Sequence, residues 1–288
     1  MMNIAVIFAG GVGSRMHSKE RPKQFLEMYN KPIIIHTLEH FQNHPKIDAI
    51  VVVCIESWIP YLNELLYKFR IEKVKKIVPG GETGQLSIYH GLKAAKEVAN
   101  EEKAVVLIHD GVRPLITEKL ITNNIESVMH YGSAITTAKV KETILVVNEE
   151  DSSIDYVPSR NNSRVAKAPQ SFWLNDILST HEKALEKGEH NWIDSCTMMQ
   201  EYGFKMHLID GPSQNIKITT PEDLEMAEFM LNAGNPGLHS SFPHVPLRSA
   251  FCKFPLLRGI SLPSHRSDLL NNAFSFPRSF HREDPFHS

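Results

Sequence analysis

The sequence predicts an α/β fold: a doubly wound, mostly parallel, Rossmann-like sheet with a protruding antiparallel β-arm and a disordered C-terminal tail. Three observations predict it. Short apolar runs rich in β-branched residues alternate with amphipathic stretches between residues 4 and 138, the pattern of repeated βαβ units. Those runs are apolar throughout, so the strands lie parallel with helices over both faces. After about Lys139 the rhythm changes, and beyond about Ala233 no period of 2 or 3.6 persists.

In chain order, strands are expected over 4–8, 50–54, 74–78, 105–108 and 134–138, with amphipathic helical stretches over 33–41, 58–69, 87–99 and 117–131. Residues 143–147 and 154–157 flank the polar turn 148–153 and make the β-arm, which occupies about 139–166. Helices over 175–187 and 195–202, a strand over 206–209 and a helix over 221–231 complete a domain of residues 1–232. Pro221 suits a first helical turn and Thr220 its N-cap. Leu224, Ala227, Phe229, Met230 and Leu231 read as that helix's apolar face. In the extension, 233–288, prolines at 236, 243, 246, 255, 263, 277 and 285 leave little room for a helix or central strand. Its scattered Phe and Leu residues keep a folded or docking role open.

With 288 residues, 42% hydrophobic, the chain can bury one sizeable core. A formal net charge of -2 without a basic stripe argues against nucleic acid and fits a small anionic substrate. Cys54, Cys196 and Cys252 are odd in number and widely spaced, so neither a disulfide framework nor a zinc site is expected. The N-terminal apolar run is too short for a signal sequence or membrane span. A cytoplasmic protein is the expectation.

The first strand feeds Ala9-Gly10-Gly11-Val12-Gly13-Ser14-Arg15-Met16, and Pro22-Lys23-Gln24 follows. Glycines let backbone N–H groups approach a polyphosphate. Arg15 and Lys23 can then hold its oxygens and stabilise charge that develops on a leaving pyrophosphate. The plain alternative is a glycine-rich turn beside two surface charges. A dinucleotide fingerprint would need Gly where Met16 stands, and no G-x4-G-K-[ST] loop can be written here.

This opening resembles that of the cytidylyltransferases that make CDP-methylerythritol and CDP-ribitol. Four further segments agree in order and spacing: His109-Asp110-Gly111-Val112-Arg113-Pro114, Ala168-Pro169-Gln170-Ser171-Phe172, Ile193-Asp194-Ser195 and Asn215-Ile216-Lys217-Ile218-Thr219. The resemblance spans residues 3 to about 232 and implies transfer of CMP from CTP to a small polyol phosphate, with release of pyrophosphate.

It also distributes roles. Arg15, Lys23 and Lys217 would be catalytic, and Ala9, Gly10, Gly11, Gly13, Gly81, Ser87 and Asp110 would bind CTP. Asp110, ending an apolar strand, suits Mg²⁺ as a hard carboxylate shared with phosphate oxygens; capping the next turn is its plain alternative. Ser87 would contact cytosine or merely cap its helix, while Gly84 stands where family members commonly carry Arg. Arg113, Arg160 and Asp194 would hold the acceptor. The resemblance has Arg160 reach the partner's site of a homodimer; otherwise it is a solvated arm charge. Lys217, near the end of a short strand, is a second cation at the reacting phosphates or a salt-bridged surface lysine. The acceptor phosphate is itself the nucleophile, so no activated Ser or Cys is needed. Ile193, Trp58, the 109–114 segment and Gln170-Ser171-Phe172 point to ribitol 5-phosphate; 2-C-methyl-D-erythritol 4-phosphate is the alternative. A nicotinamide-dependent dehydrogenase and a silent nucleotide-binding module are the rivals from other classes.

Overall fold

Residues Met2–Ala9 (β1) form a strand whose central positions Ile4, Ala5, Val6 and Ile7 are all buried, so both faces of the strand are covered. The computed structural model describes residues 1–11 and 21–234. Gly13, Arg15 and the tail beyond Gly234 therefore lie outside the described residues, along with the roles expected of them.

A 3-10 turn at Lys23–Phe25 precedes a two-residue hairpin, Glu27–Met28 (β2) and Lys31–Pro32 (β3), and then helix Ile33–Asn43 (α1). Next come Ala49–Cys54 (β4), Ile59–Lys68 (α2), Val74–Pro79 (β5), Gly84–Ala99 (α3), Ala104–Asp110 (β6), Glu118–Tyr131 (α4) and Ser133–Lys139 (β7). The arm carries Val146–Val147 (β8) and Ile154–Tyr156 (β9). Arg164–Trp173 (β10), Leu174–Glu186 (α5), Ser195–Glu201 (α6), Leu208–Asp210 (β11) and Pro221–Gly234 (α7) follow.

The main sheet has the order β11-β7-β10-β6-β1-β4-β5. Strands β6, β1, β4 and β5 pair in parallel, as do β11 and β7, whereas β10 runs antiparallel to both of its neighbours. Alternation along each strand then sorts the core into two layers. Ala5, Ile7, Val52 and Leu107 pack with Leu38 of α1, Leu62 of α2 and Ile121 of α4. Ile4, Val6, Val106 and Ile108 pack with Ile88 of α3, Ile177 of α5 and Met198 of α6. A third cluster joins Met28, Ile33, Val112, Ile218 and Ala227, and it seats α7 near the end of β6.

The expected elements are present with shifts at their ends, and four readings need correction. Strand β10 was not foreseen, because Pro169 and the polar pair Gln170-Ser171 interrupt any apolar run. Pro169 sits where the ladder to β7 shifts register between Ala166 and Gln170, and buried Ser171 donates to Asn124 Oδ1 at 2.8 Å. Helix α3 begins at Gly84 with Thr83 as its cap, whose Oγ1 accepts from Leu86 N, so Ser87 is not the N-cap. Lys217 lies on no strand; the chain from Gly211 to Thr220 is irregular. On α7, Leu224, Ala227 and Leu231 face the core, but Phe229 is 71% exposed. It sits roughly opposite that stripe at about 100° per residue, so the apolar run does not form one face.

Thr220 does cap α7. Its Oγ1 accepts from Asp223 N, while Asp223 Oδ2 accepts from the backbone N–H groups of Thr219 and Thr220, a reciprocal capping box. The β-arm is present, with shorter strands than expected and a row of half-exposed apolar side chains: Leu145, Val147, Ile154, Tyr156 and Val157.

Candidate active site

Asp110 is the last residue of β6 and shares a sheet face with Ile108, so it stands where the buried layer opens beyond the strand ends. Its side chain is only 6% exposed and is held by two cations. Arg113 Nε donates to Oδ2 at 3.1 Å, and Lys217 Nζ lies 2.6 Å from Oδ1. Burial alone would raise its pKa, but Arg113 and then Lys217 outweigh that and hold the carboxyl below the usual range. The neighbouring His109 is driven by burial down to about 3 and stays neutral, its Nε2–H donating to Arg113 O at 3.1 Å.

Ile218 N donates to Val112 O and its side chain is fully buried, which pins the irregular segment that carries Lys217 against the end of β6. Buried Asn215 ties the other side: its O accepts from Arg113 Nη1 at 2.8 Å and from Lys167 Nζ at 3.1 Å, and its Nδ2 donates to Ala168 O. These contacts bring β6, β10 and the 211–220 segment around one cavity of about 320 Å³. Arg113, Lys167 and Lys217 line it against Asp110 and Asp194, a balance suited to an anion.

The glycine loops flank this cavity. Gly10 and Gly80 face each other, and a Cβ on Gly80 would press to 3.2 Å from Ser87 Oγ. Ser87 Oγ accepts from Gly81 N at 3.0 Å and donates to Thr83 O at 3.0 Å, so the hydroxyl shapes the loop. Gly81 admits no side chain, since a Cβ would lie 2.5 Å from that of Leu86. Buried Gln24 donates from Nε2 to Ala9 O at 2.6 Å and fixes the turn bearing Lys23 beside the end of β1.

Of the expected site residues, Asp110, Arg113, Asp194 and Lys217 line one cavity. Ala9 ends β1, Gly10 and Gly11 follow it, Gly81 lies in the loop after β5 and Ser87 in the first turn of α3, while Gly13 and Arg15 lie outside the described residues. Asp194 caps α6, its Oδ1 accepting from Thr197 N and its Oδ2 from Gln170 Nε2. Arg160 is exposed on the arm, donating to Lys141 O at 3.3 Å, and does not line the cavity of its own chain. Lys167, Gln170, His181 and Trp192 also line the cavity and had been given no role. Gln170 lies within the segment Ala168–Phe172 that carries the resemblance; a histidine on an amphipathic helix carries no such signal.

The profile of the family IspD, 2-C-methyl-D-erythritol 4-phosphate cytidylyltransferase, matches residues 3–233. The chain belongs to this family. Being a family member, it is a cytidylyltransferase, a nucleotidyltransferase with the mostly parallel α/β sheet described above. A ribitol-5-phosphate cytidylyltransferase of Streptococcus agalactiae serotype V is 54% identical over 233 residues, spanning 81% of this chain and 96% of that one. A 2-C-methyl-D-erythritol 4-phosphate cytidylyltransferase of Clostridium botulinum is 43% identical over 229 residues, 80% of this chain and 97% of that one. Among solved structures, the 4-diphosphocytidyl-2C-methyl-D-erythritol synthase of Anaerococcus prevotii superposes with a TM-score of 0.69 at 28% identity, covering 80% and 96% of the two chains.

Proposed function

We propose that this cytidylyltransferase transfers CMP from CTP to D-ribitol 5-phosphate, giving CDP-ribitol and pyrophosphate. The observation that carries the reading is the cavity at the end of β6, lined by Arg113, Lys167 and Lys217 beside a glycine cradle. The 54% identity to a ribitol-5-phosphate enzyme, against 43% to a methylerythritol one, favours the pentitol acceptor.

An acceptor phosphate oxygen attacks the α-phosphorus of CTP; that P–O bond forms as the bond to the β-phosphate oxygen breaks, and pyrophosphate departs. Catalysis is in-line positioning plus charge stabilisation. Lys217 and Lys23, with Arg15, supply positive charge where it grows on the transferring and leaving groups. Arg113 and Asp194 orient the acceptor, while Gly10, Gly11, Gly13, Gly81 and Ser87 cradle CTP.

Mg²⁺ fits this donor set as a companion of the nucleotide. Among the described residues no cluster of three acidic, His or Cys side chains could cage a metal alone. One hard carboxylate, Asp110, is the usual protein share when phosphates supply further oxygens. When bound, the ion would neutralise charge on the α-phosphate.

The half-exposed apolar row on the arm supports a homodimer in which the arm packs on a second copy and Arg160 enters the partner's site. Residues 1–232 constitute the catalytic domain, and 233–288 are an extension outside the chemistry. No described helix is long and apolar enough to cross a membrane, in keeping with a cytoplasmic reaction. The test is a pyrophosphate-release matrix of four nucleoside triphosphates against ribitol 5-phosphate, 2-C-methyl-D-erythritol 4-phosphate and buffer. Turnover is expected with CTP and ribitol 5-phosphate; turnover with methylerythritol phosphate alone would reassign the acceptor.

A further inference from the structure

The cavity has an inner wall that none of the assigned roles uses. Asp110 and Ile108 are two residues apart on β6, so the lining passes from the charged strand end into the apolar layer, where Ile88 and Met198 form both cavity wall and core. His181 of α5 lines this same cavity. It is 1% exposed, and neither Nδ1 nor Nε2 has a hydrogen-bond partner among the described residues.

A buried imidazole left unpaired on both sides is destabilising, and entry of a polar group would relieve it. The two buried amides of the lining are already engaged. Gln85 donates to Glu189 O and accepts from Trp192 N; Gln170 donates to Asp194 and accepts from Cys196 N. Burial lowers the His181 pKa to about 4, so at neutral pH one ring nitrogen donates and the other accepts. That pair matches a hydroxyl, which does both, and suits a phosphate poorly. At roughly 30 Å³ per water, a cavity of 320 Å³ has room for a small polyol phosphate. With the phosphate drawn to Arg113 and Lys217 at the strand end, the hydroxyl-bearing carbons are left to run along the inner wall.

We propose that His181 is a specificity-determining residue for the acceptor, its ring hydrogen-bonding a hydroxyl at the end of the polyol remote from the phosphate. The inference rests on the polyol-phosphate reading above and adds a residue that selects chain length.

The test compares the full-length wild type with His181→Leu and His181→Gln, using ribitol 5-phosphate and the shorter sn-glycerol 3-phosphate as acceptors, the latter as substrate or as competitive inhibitor. His181→Leu should raise KM for ribitol 5-phosphate about tenfold while changing KM for CTP and the glycerol phosphate constant by less than about twofold. His181→Gln, which keeps a donor and an acceptor, should recover part of the loss. Equal losses with both acceptors, or no change with either, would overturn the proposal. A second measurement needs no variant enzyme activity: the ring ¹⁵N resonances of His181, assigned with the variants, should move on saturation with ribitol 5-phosphate and hold still with inorganic phosphate. Unmoved resonances would also overturn it. A wild type that uses no polyol phosphate defeats the functional reading itself, whereas an active wild type with an indifferent His181→Leu defeats only this inference.

Discussion

Lys217 Nζ lies 2.6 Å from Asp110 Oδ1, joining a half-exposed cation from an irregular segment to a buried carboxylate at a strand end. The lysine also sits 5.7 Å from the centre of the Phe8 ring, so it is held between β1 and β6. An ammonium in that position serves the carboxylate before substrate arrives and can turn to phosphate oxygens afterwards. Lys217→Ala should lower kcat by about 10²-fold or more while the fold persists, as loss of an electrostatic donor does. It should also raise the Asp110 pKa, because Lys217 is one of the two cations that depress it. Initial-rate kinetics beside carboxylate infrared titration check both; wild-type turnover would remove Lys217 from the mechanism.

Arg160 stands on the arm, away from its own chain's cavity. Chains carrying Arg160→Ala and Lys23→Ala, each inactive alone, should regain part of the activity when mixed, through hybrid sites that have both residues intact. Pyrophosphate release from purified heterodimers is the readout, and no recovery would deny a role in trans.

Stability should fall in mild acid. His109 and His181 have folded pKa values of about 3 and about 4, below the ordinary 6.5, both because of burial. The unfolded chain therefore takes up these protons first as pH drops. Each histidine should remove stability at about 1.4 kcal/mol per pH unit below roughly 6.5, the loss ending near its folded value. His181→Leu should flatten the fall of Tm between pH 6.5 and 4, seen by calorimetry.

Two glycines should separate binding from folding. Gly91→Ala would press its Cβ to 2.6 Å from Val6 Cγ1 and 2.7 Å from Val53 Cγ2, between α3 and the sheet. A loss of about 1–3 kcal/mol in chemical denaturation is expected. Gly81→Ala meets the Cβ and backbone of Leu86, so the loop must shift; KM for CTP should rise about tenfold, with a smaller fall in Tm than for Gly91→Ala.

A chain ending at Gly234, where α7 ends, should keep kcat and KM for CTP within about threefold, under one tenfold step of 1.4 kcal/mol. Lost activity or a lost dimer would place part of 235–288 in the working enzyme.

The sheet's parallel half was legible because its strands are apolar on both faces: Ile50–Val53 and Val105–Leu107 are all fully buried. The position of Asp110 at a strand end was legible for a related reason, since it stands just past such a run, after His109. Strand β10 was illegible, because its ladder tolerates Pro169 and its buried Ser171 is satisfied by Asn124, a partner 47 residues away. His181 and Lys167 entered the cavity only through that packing; neither stands in a local pattern that announces a site.

Strand β10 also sets an order of events. Strands β6 and β7 are successive in the chain, joined through α4, yet β10 separates them in the sheet. A nascent chain that has reached Lys139 holds an open slot with an unpaired edge on either side, the kind of edge that invites pairing with other chains. The slot is filled only when 164–173 has been made, after the whole β-arm. That segment also contributes Lys167, Ala168 and Gln170 to the cavity. Closing the slot is thus a late step in the life of the chain, and the cavity, which also takes Asp194 and Lys217 from later segments, cannot form before it.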